Sequence, residues 1–423
     1  MDLRILHGDL IDAPTSDVLR VREGWYLICE NGFIKAVCPE LPEEYRTCPV
    51  EEHGRAVVIP AFSDLHIHMS QYAQRGIGMD KLLADWLSDY TFPQEARFAR
   101  GEYAAAMYER ALQALLRHGS FHAVMFTTIH KDACDWLFER CRALGMQALI
   151  GKVNMDAASP DYLCEDTAVS LRETEAFVTE HMGEALVKPI LTPRFAPTST
   201  SALMAGLGKL AQKYALGVQT HLVESVWEAQ QAKRCFPDCA CDAEIYERYG
   251  LLGHGPAVFA HVIFPEERDL ALLRKYSAFA VHCPEATTNV IAGIMPVRRL
   301  LRREGISLAM GSDVGSGSSP ALYRQIAWAV QLSKQRSFYY EGDDQTLAFS
   351  EAFHLATAAG GRIFDRVGLL EPGYRFNALV LDGLEDTEFP LGPAARLERF
   401  CYCGDDRNIT ARYLNGKALD FIC

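Results

Sequence analysis

With 423 residues, 49% of them apolar, the chain can bury a large core and has room for two or three domains, or for one barrel with additions. Its 42 basic and 55 acidic side chains leave a net charge of −13, and no Lys/Arg cluster stands out, which argues against nucleic acid as a partner and for a small soluble molecule. No apolar run approaches the roughly 20 residues of a membrane-spanning helix, and no signal peptide is visible, so the expectation is a soluble cytoplasmic protein without a membrane partner. Thirteen cysteines scattered from Cys29 to Cys423 read as reduced thiols. Cys235, Cys239 and Cys241 lack the paired C-x-x-C spacing of a structural zinc site, and with Cys401 and Cys403 they are read as loop or core thiols.

In chain order, the first segments, RILHGDLID and YLICENGFIKAV, are short strand-like runs with a turn signal at Asn31-Gly32. Eight apolar or β-branched runs follow: VVIPAFSDLHIH, HAVMFTTI, QALIGKV, VKPILTP, GVQTHL, AVFAHV, FAVHCP and SLAMGSD. Between them lie stretches such as EYAAAMYERALQALLRHG and SALMAGLGKLAQKYALG, with apolar residues at three and four spacing and a glycine at the end, the pattern of amphipathic helices. The tail returns to short strands, ALVLDG and ARYLNGKAL, with a second turn signal at Asn415-Gly416. The alternation predicts an α/β protein with a (β/α)8 TIM-like barrel over residues 60–370. A small β-sandwich domain is expected from both termini, residues 1–59 with 371–423.

Polar residues gather at the C-terminal ends of the predicted strands, where such barrels keep their active sites. His66 and His68 are two apart on a strand and so point to one face. His221 ends the fifth strand, with Glu224 three residues on; His261 ends the sixth; Asp313 ends the eighth. Each alone reads as an ordinary satisfied polar residue, but packing does not explain their joint placement at one end of four strands. Three imidazoles and a carboxylate at His66, His68, His221 and Asp313 suit one Zn2+ per subunit, or less often Fe2+, with a position left for water. Such an ion lowers the pKa of its water to about 7, and Glu224, not needed as a ligand, is the natural proton carrier.

The order H-x-H, H-x-x-E, H, D resembles the amidohydrolase superfamily, and within it the chain is similar to the guanine deaminase family over nearly its whole length. The marks are DLHIHMSQY, DWLSDYTFPQEARF, GKVNMD, KPILTPRF, THLVES, AHVIF, HCP, GSDVGSG and GDDRNI. The resemblance implies zinc ligands at His66, His68, His221 and Asp313, with Glu224, His261 and Asp313 as catalytic groups. His261 would orient the water and the developing oxyanion. Gln71 and Arg194 would hold the polar edge of a purine, the amide as donor and acceptor and the arginine on the carbonyl oxygen, while Phe195 packs on the ring. The implied reaction is attack of a metal-activated hydroxide on C2 of guanine with Glu224 as proton shuttle, giving xanthine and ammonia. A homodimer, and a lid formed by the YTFPQEARF loop, are further expectations of the resemblance and of that loop's place above the barrel mouth.

The chain departs from the family pattern at Ser225, at Glu285, Ala286 and Thr287 in HCPEATTN, and in the loop after Asp313. Those positions leave open a related ring: 8-oxoguanine, isoguanine, a pterin or a triazine. Two further readings are weighed. A binuclear cyclic-amide hydrolase needs a bridging lysine at the end of the fourth strand, whereas Lys188 starts that strand and Lys152 ends the third. A non-catalytic scaffold would normally show a missing ligand, and none is missing.

Overall fold

The computed structural model describes residues 2–340, 346–385 and 388–419. Strands occupy all eight expected positions. Phe62–His68, Ser120–Phe126, Gln147–Gly151 and Val187–Pro189 form one parallel sheet; Val218–Leu222, Ala257–His261, Phe279–His282 and Ser307–Met310 form another. Both seams between the sheets are hydrogen-bonded. At one, Leu191 bridges Val218 and Gln219 N donates to Leu191 O at 2.9 Å; at the other, Asp313 N donates to His66 O at 2.8 Å. Leu65, Val124, Leu149, Ile190, Val258, Val281 and Ala309 meet in one apolar cluster between the strands.

Helices connect successive strands as the three-and-four spacing requires. Gly101–Arg117 buries Ala104, Tyr108, Ala111, Leu112, Leu115 and Leu116 on one stripe. Ser201–Tyr214 starts on a Thr200 side-chain cap and ends with Ala215 in the left-handed region at φ 52°, two residues before the glycine that the sequence offers as its stop. Gly217 answers a different need: a Cβ there would lie 2.2 Å from Pro256 O. Among the described residues, no helix is long and apolar enough to cross a membrane.

The run VVIPAFSDLHIH, read as one strand, is two. Glu51–Pro60 belongs to a separate seven-stranded sheet, and the chain crosses at Ala61 into Phe62–His68. In that sheet Glu51–Pro60 lies between Leu3–Thr15, parallel to it, and Ala378–Leu381, antiparallel, so the two ends of the chain share one sheet. Hydrogen bonding gives a single curled sheet where two sandwiched layers were expected. Ile34, near one edge, and Tyr413, near the other, enter the same apolar cluster, and a Cβ on Gly32 would lie 2.9 Å from Asn415 O. The Asn31-Gly32 and Asn415-Gly416 turns have the expected positive φ pairs, 51° and 83°, then 50° and 80°. Alternation lets Glu51–Pro60 serve two cores: Val58 faces the inside of the curl, while Val57 and Ile59 join the large core that also holds Phe121 and Phe126.

One irregularity positions the site. The register of Phe62–His68 against Ser120–Phe126 slips between Asp64 and Ile67, with Asp64 opposite Ala123 and Ile67 opposite Met125. Leu65 and His66 therefore share the place opposite Val124, so that an apolar core residue and a histidine lie on the same face although strict alternation would part them. Asp64 holds the slip, accepting from His66 N at 3.2 Å and Ser312 N at 3.0 Å, with Ser312 Oγ as a third donor. Beside it, a Cβ on Gly311 would meet His66 Cβ and Val281 Cγ1 at 2.9 Å. Gly311→Ala is expected to destabilise the fold by about 1–3 kcal/mol through this overpacking, and to weaken metal binding at least tenfold by displacing His66. Thermal melting and zinc titration check both.

Candidate metal centre and active site

All the residues singled out at the strand ends converge. His66, His68 and His221 form one group whose ligand atoms lie within 4.8 Å of one another, and His66, His261 and Asp313 form a second, sharing His66. The spacing fits a tetrahedral ion: zinc–nitrogen bonds of about 2.0–2.1 Å at tetrahedral angles put neighbouring ligand atoms about 3.3 Å apart. His68 Nε2 lies 3.1 Å from His221 Nε2, and Asp313 Oδ1 lies 3.3 Å from His66 Nε2 and 3.5 Å from His68 Nε2. His66 Nε2 is buried and has no hydrogen-bond partner, the condition of a ligand atom awaiting a cation.

The protonation states agree. Arg194 O, which can only accept, lies 2.6 Å from His221 Nδ1, so that nitrogen carries the proton and Nε2 presents its lone pair. Burial, aided by the Arg194 charge, lowers His66 to about 3, and burial holds His68, His221 and His261 well below the ordinary histidine value. All four are neutral at physiological pH. Burial also pushes Asp313 upward, a cost that a bound cation would remove; Ser316 Oγ meanwhile donates to its Oδ2 at 2.7 Å.

Backbone strain is concentrated here. Val223, His261, Val262 and Asp313 have φ of 45°, 75°, 50° and 46°, a conformation costly for β-branched residues and tolerated where surrounding structure enforces it. At His261 the strain has a use. Its strand register pairs it with Leu222, whose side chain belongs to the large core, yet its ring lies 5.4 Å from both His66 and His221. His261 Nε2 is 3.6 Å from Glu224 Oε1 and 3.9 Å from Asp313 Oδ2, with no hydrogen bond of its own.

Glu224 is raised well above the usual carboxyl range by burial, with Asp313 and Glu228 adding repulsion. It lines one cavity together with His221, His261, Asp313, Gln71, Arg194 and Phe195. Every sequence-derived site residue except His66 lines this cavity, and the His66 ring lies 4.9 Å from that of His68, edge to face. Phe195 presents its ring 6.3 Å from that of His221, nearly perpendicular.

Other residues of the site escaped sequence reasoning. Glu95, inside the quoted YTFPQEARF, accepts from Gln71 Nε2 at 2.8 Å and Arg194 Nη1 at 2.6 Å. Its segment is helical where a loop was expected, and Leu83, Trp86 and Leu87 from the preceding turns cover the cavity. Glu228 accepts from the backbone N of Glu224 at 2.7 Å and also lines the cavity; a carboxylate four residues after Glu224 on a helix start was the available signal. Two of the departures from the family pattern face elsewhere, whereas the loop after Asp313 reaches the cavity through Ser316. Ser225 caps the helix Val226–Cys235 through Glu228 N. Glu285 turns to Ser318 Oγ and to Gln325 Nε2, the latter at 2.8 Å, and does not line the cavity. Lys188 is exposed, and Lys152 is buried against Glu165, so neither reaches the metal ligands. Cys235, Cys239 and Cys241 are free thiols, absent from the metal-capable groups among the described residues; Cys423 lies outside those residues.

The sequence model of the amidohydrolase family matches residues 57–419. A probable guanine deaminase of Schizosaccharomyces pombe is 34% identical, over 97% of this chain and 82% of its own, and the guanine deaminase of Dictyostelium discoideum is 33% identical over 88% and 84%. Among solved structures, guanine deaminase from C. acetobutylicum with guanine in its active site superposes with a TM-score of 0.96 at 40% identity, covering 99% of this chain and all of that one.

Glu228 generates a test of the local electrostatics. Burial, with Asp242 adding repulsion, raises it to about 8. The folded state therefore binds a proton more tightly than the unfolded chain, and this group's contribution to stability falls as pH rises from about 4.5 to about 8. Glu228→Gln removes that loss, so its melting temperature relative to the parent is expected to rise with pH across this window and level off above it.

Proposed function

Because the chain belongs to the amidohydrolase family and is a hydrolase of carbon–nitrogen bonds, we propose that it hydrolyses guanine, with one water, to xanthine and ammonia in a zinc-dependent reaction. The observation that carries this reading is the junction of two metal-capable groups that share His66 with a cavity lined by Glu224, Gln71 and Arg194. The 40% identical relative that holds guanine supports the same substrate. Ser225 and Glu285, two of the departures that left another ring open, turn away from the cavity, while the third, the loop after Asp313, lines it through Ser316.

His66, His68, His221 and Asp313 would hold the zinc, which when bound supplies Lewis acidity and a water with its pKa lowered to about 7. Arg194 donates to the ring carbonyl and Gln71 fixes the same edge, so that C2 faces the ligand cluster. Phe195 packs on the ring, and Trp86 and Leu87 exclude bulk water. Glu224 takes the first proton of the attacking water and passes it to the ring nitrogen beside C2; it then takes the second, from the hydroxyl now on C2, and gives it to the amino group, so that the C–N bond breaks, ammonia leaves and the oxygen stays on C2 as the carbonyl. Its raised affinity for protons suits it to hold one between these transfers. His261, 3.6 Å from Glu224, is placed to donate to the oxygen developing at C2.

In the same reading the eight strands are a (β/α)8 barrel spanning residues 60–370, and residues 1–59 with 371–423 form the small β-domain. A cytoplasmic homodimer acting in purine catabolism rests on the resemblance to guanine deaminases.

The zinc-loaded chain is expected to release ammonia from guanine at least tenfold faster than from 8-oxoguanine, isoguanine, pterin or a triazine; guanine left intact overturns the reading. Chelation is expected to abolish turnover and zinc to restore it. Glu224→Gln is expected to retain zinc and lose about 10²–10⁴-fold in kcat, since the ligands remain and the proton route does not.

A further inference from the structure

Glu95 is a carboxylate 2% exposed, and its oxygens are divided between two side chains that line the cavity, Gln71 and Arg194. Oε1 accepts from Gln71 Nε2 at 2.8 Å, with Ser70 Oγ at 3.5 Å, and Oε2 accepts from Arg194 Nη1 at 2.6 Å. A carboxylate accepts and cannot donate. Turning the Gln71 amide over would set its carbonyl oxygen against Oε1, so Glu95 decides which end of the amide is which. The other end is clamped as well: a Cβ on Gly315 would lie 2.0 Å from Gln71 Oε1, so this oxygen rests on glycine backbone at φ 125°.

The second half of the contact concerns charge. Arg194 is 3% exposed, and its charge is felt at His66, His221, Glu224 and Asp313 alike. A buried guanidinium without a counter-ion draws anions strongly. Paired with Glu95 it is neutral as a unit, yet it keeps N–H groups for a carbonyl oxygen. This matters in a deaminase because the dioxo product loses a ring proton more readily than the amino-oxo substrate.

We propose that Glu95 is a specificity-determining positioning residue: it fixes the amide of Gln71 and cancels the charge of Arg194, so that the pocket takes a neutral amino-oxo ring and does not retain the anion of the product. The inference rests on the guanine reading and adds what selects the protonation state of the ring.

The test uses the zinc-loaded full chain and the variants Glu95→Gln and Glu95→Asp. Xanthine binding is measured by calorimetry at one pH below and one pH above the ionisation of free xanthine, and steady-state kinetics with guanine are run alongside. The parent is expected to bind xanthine more weakly once it is an anion. In Glu95→Gln the ratio of anion to neutral affinity is expected to rise at least tenfold, while KM for guanine rises and zinc content holds. Glu95→Asp keeps the charge but shortens the reach; it is expected to raise KM while leaving the anion ratio near that of the parent, and it carries the test if Glu95→Gln does not fold, since a tenfold rise in its ratio then counts against charge cancellation. An anion ratio in Glu95→Gln equal to that of the parent overturns the proposal. Guanine turnover by the parent tests the reading beneath, so the two fail separately.

Discussion

The seam between the first and last parallel strands is the constraint on which the site depends. Asp64 accepts from Ser312 N and Oγ on one side and from His66 N on the other, while Asp313 N donates to His66 O. Two of the four candidate ligands, His66 and Asp313, are thus fixed by backbone hydrogen bonds across the closure, not by the ion they would hold. Burial raises Asp64 itself to about 7 against the opposing pull of those hydrogen bonds. The molecule accepts this desolvation cost to tie its ends together, and the register slip beside it turns His66 inward.

The centre assembled around that seam gathers groups whose burial a cation would compensate. Glu224 and Asp313 are buried carboxyls pushed toward their neutral forms, while four imidazoles are held neutral by the same burial. One divalent cation would offset the desolvation of Asp313 and occupy the unpartnered His66 nitrogen. The left-handed turns at Val223, His261, Val262 and Asp313 show the backbone bent to bring these groups together. Strain and desolvation of this kind cluster where chemistry is done, since neither improves a purely structural core.

Across the cavity the polar balance is the reverse. Arg194 and Gln71 are each anchored by one hydrogen bond before any ligand arrives, through Glu95, which lies 99 residues from one and 24 from the other. The pocket therefore meets its ligand with its recognition groups already oriented, which lowers the ordering cost of binding. Trp86 and Leu87 close the same space from helical turns that carry Glu95 on their far end, so cover and recognition are parts of one segment.

The sequence by itself determined the eight strands, the amphipathic helices between them, both Asn-Gly turns and the candidate ligand residues that converge in the fold, because these follow from local periodicity and from residue type at strand ends. The resemblance marked Gln71, Arg194 and Phe195, and the cavity contains all three. Only the tertiary structure decided where one strand became two at Ala61, how the register slipped at Leu65 and His66, and that Ser225 and Glu285 satisfy a helix cap and Gln325 in place of a ligand. It alone paired Glu95 with Arg194 and Glu228 with the Glu224 backbone. The physical reason is the same in each case. A side chain's identity is local, but the partner that satisfies its charge or hydrogen bond is chosen only when the strands close and bring distant segments within about 3 Å.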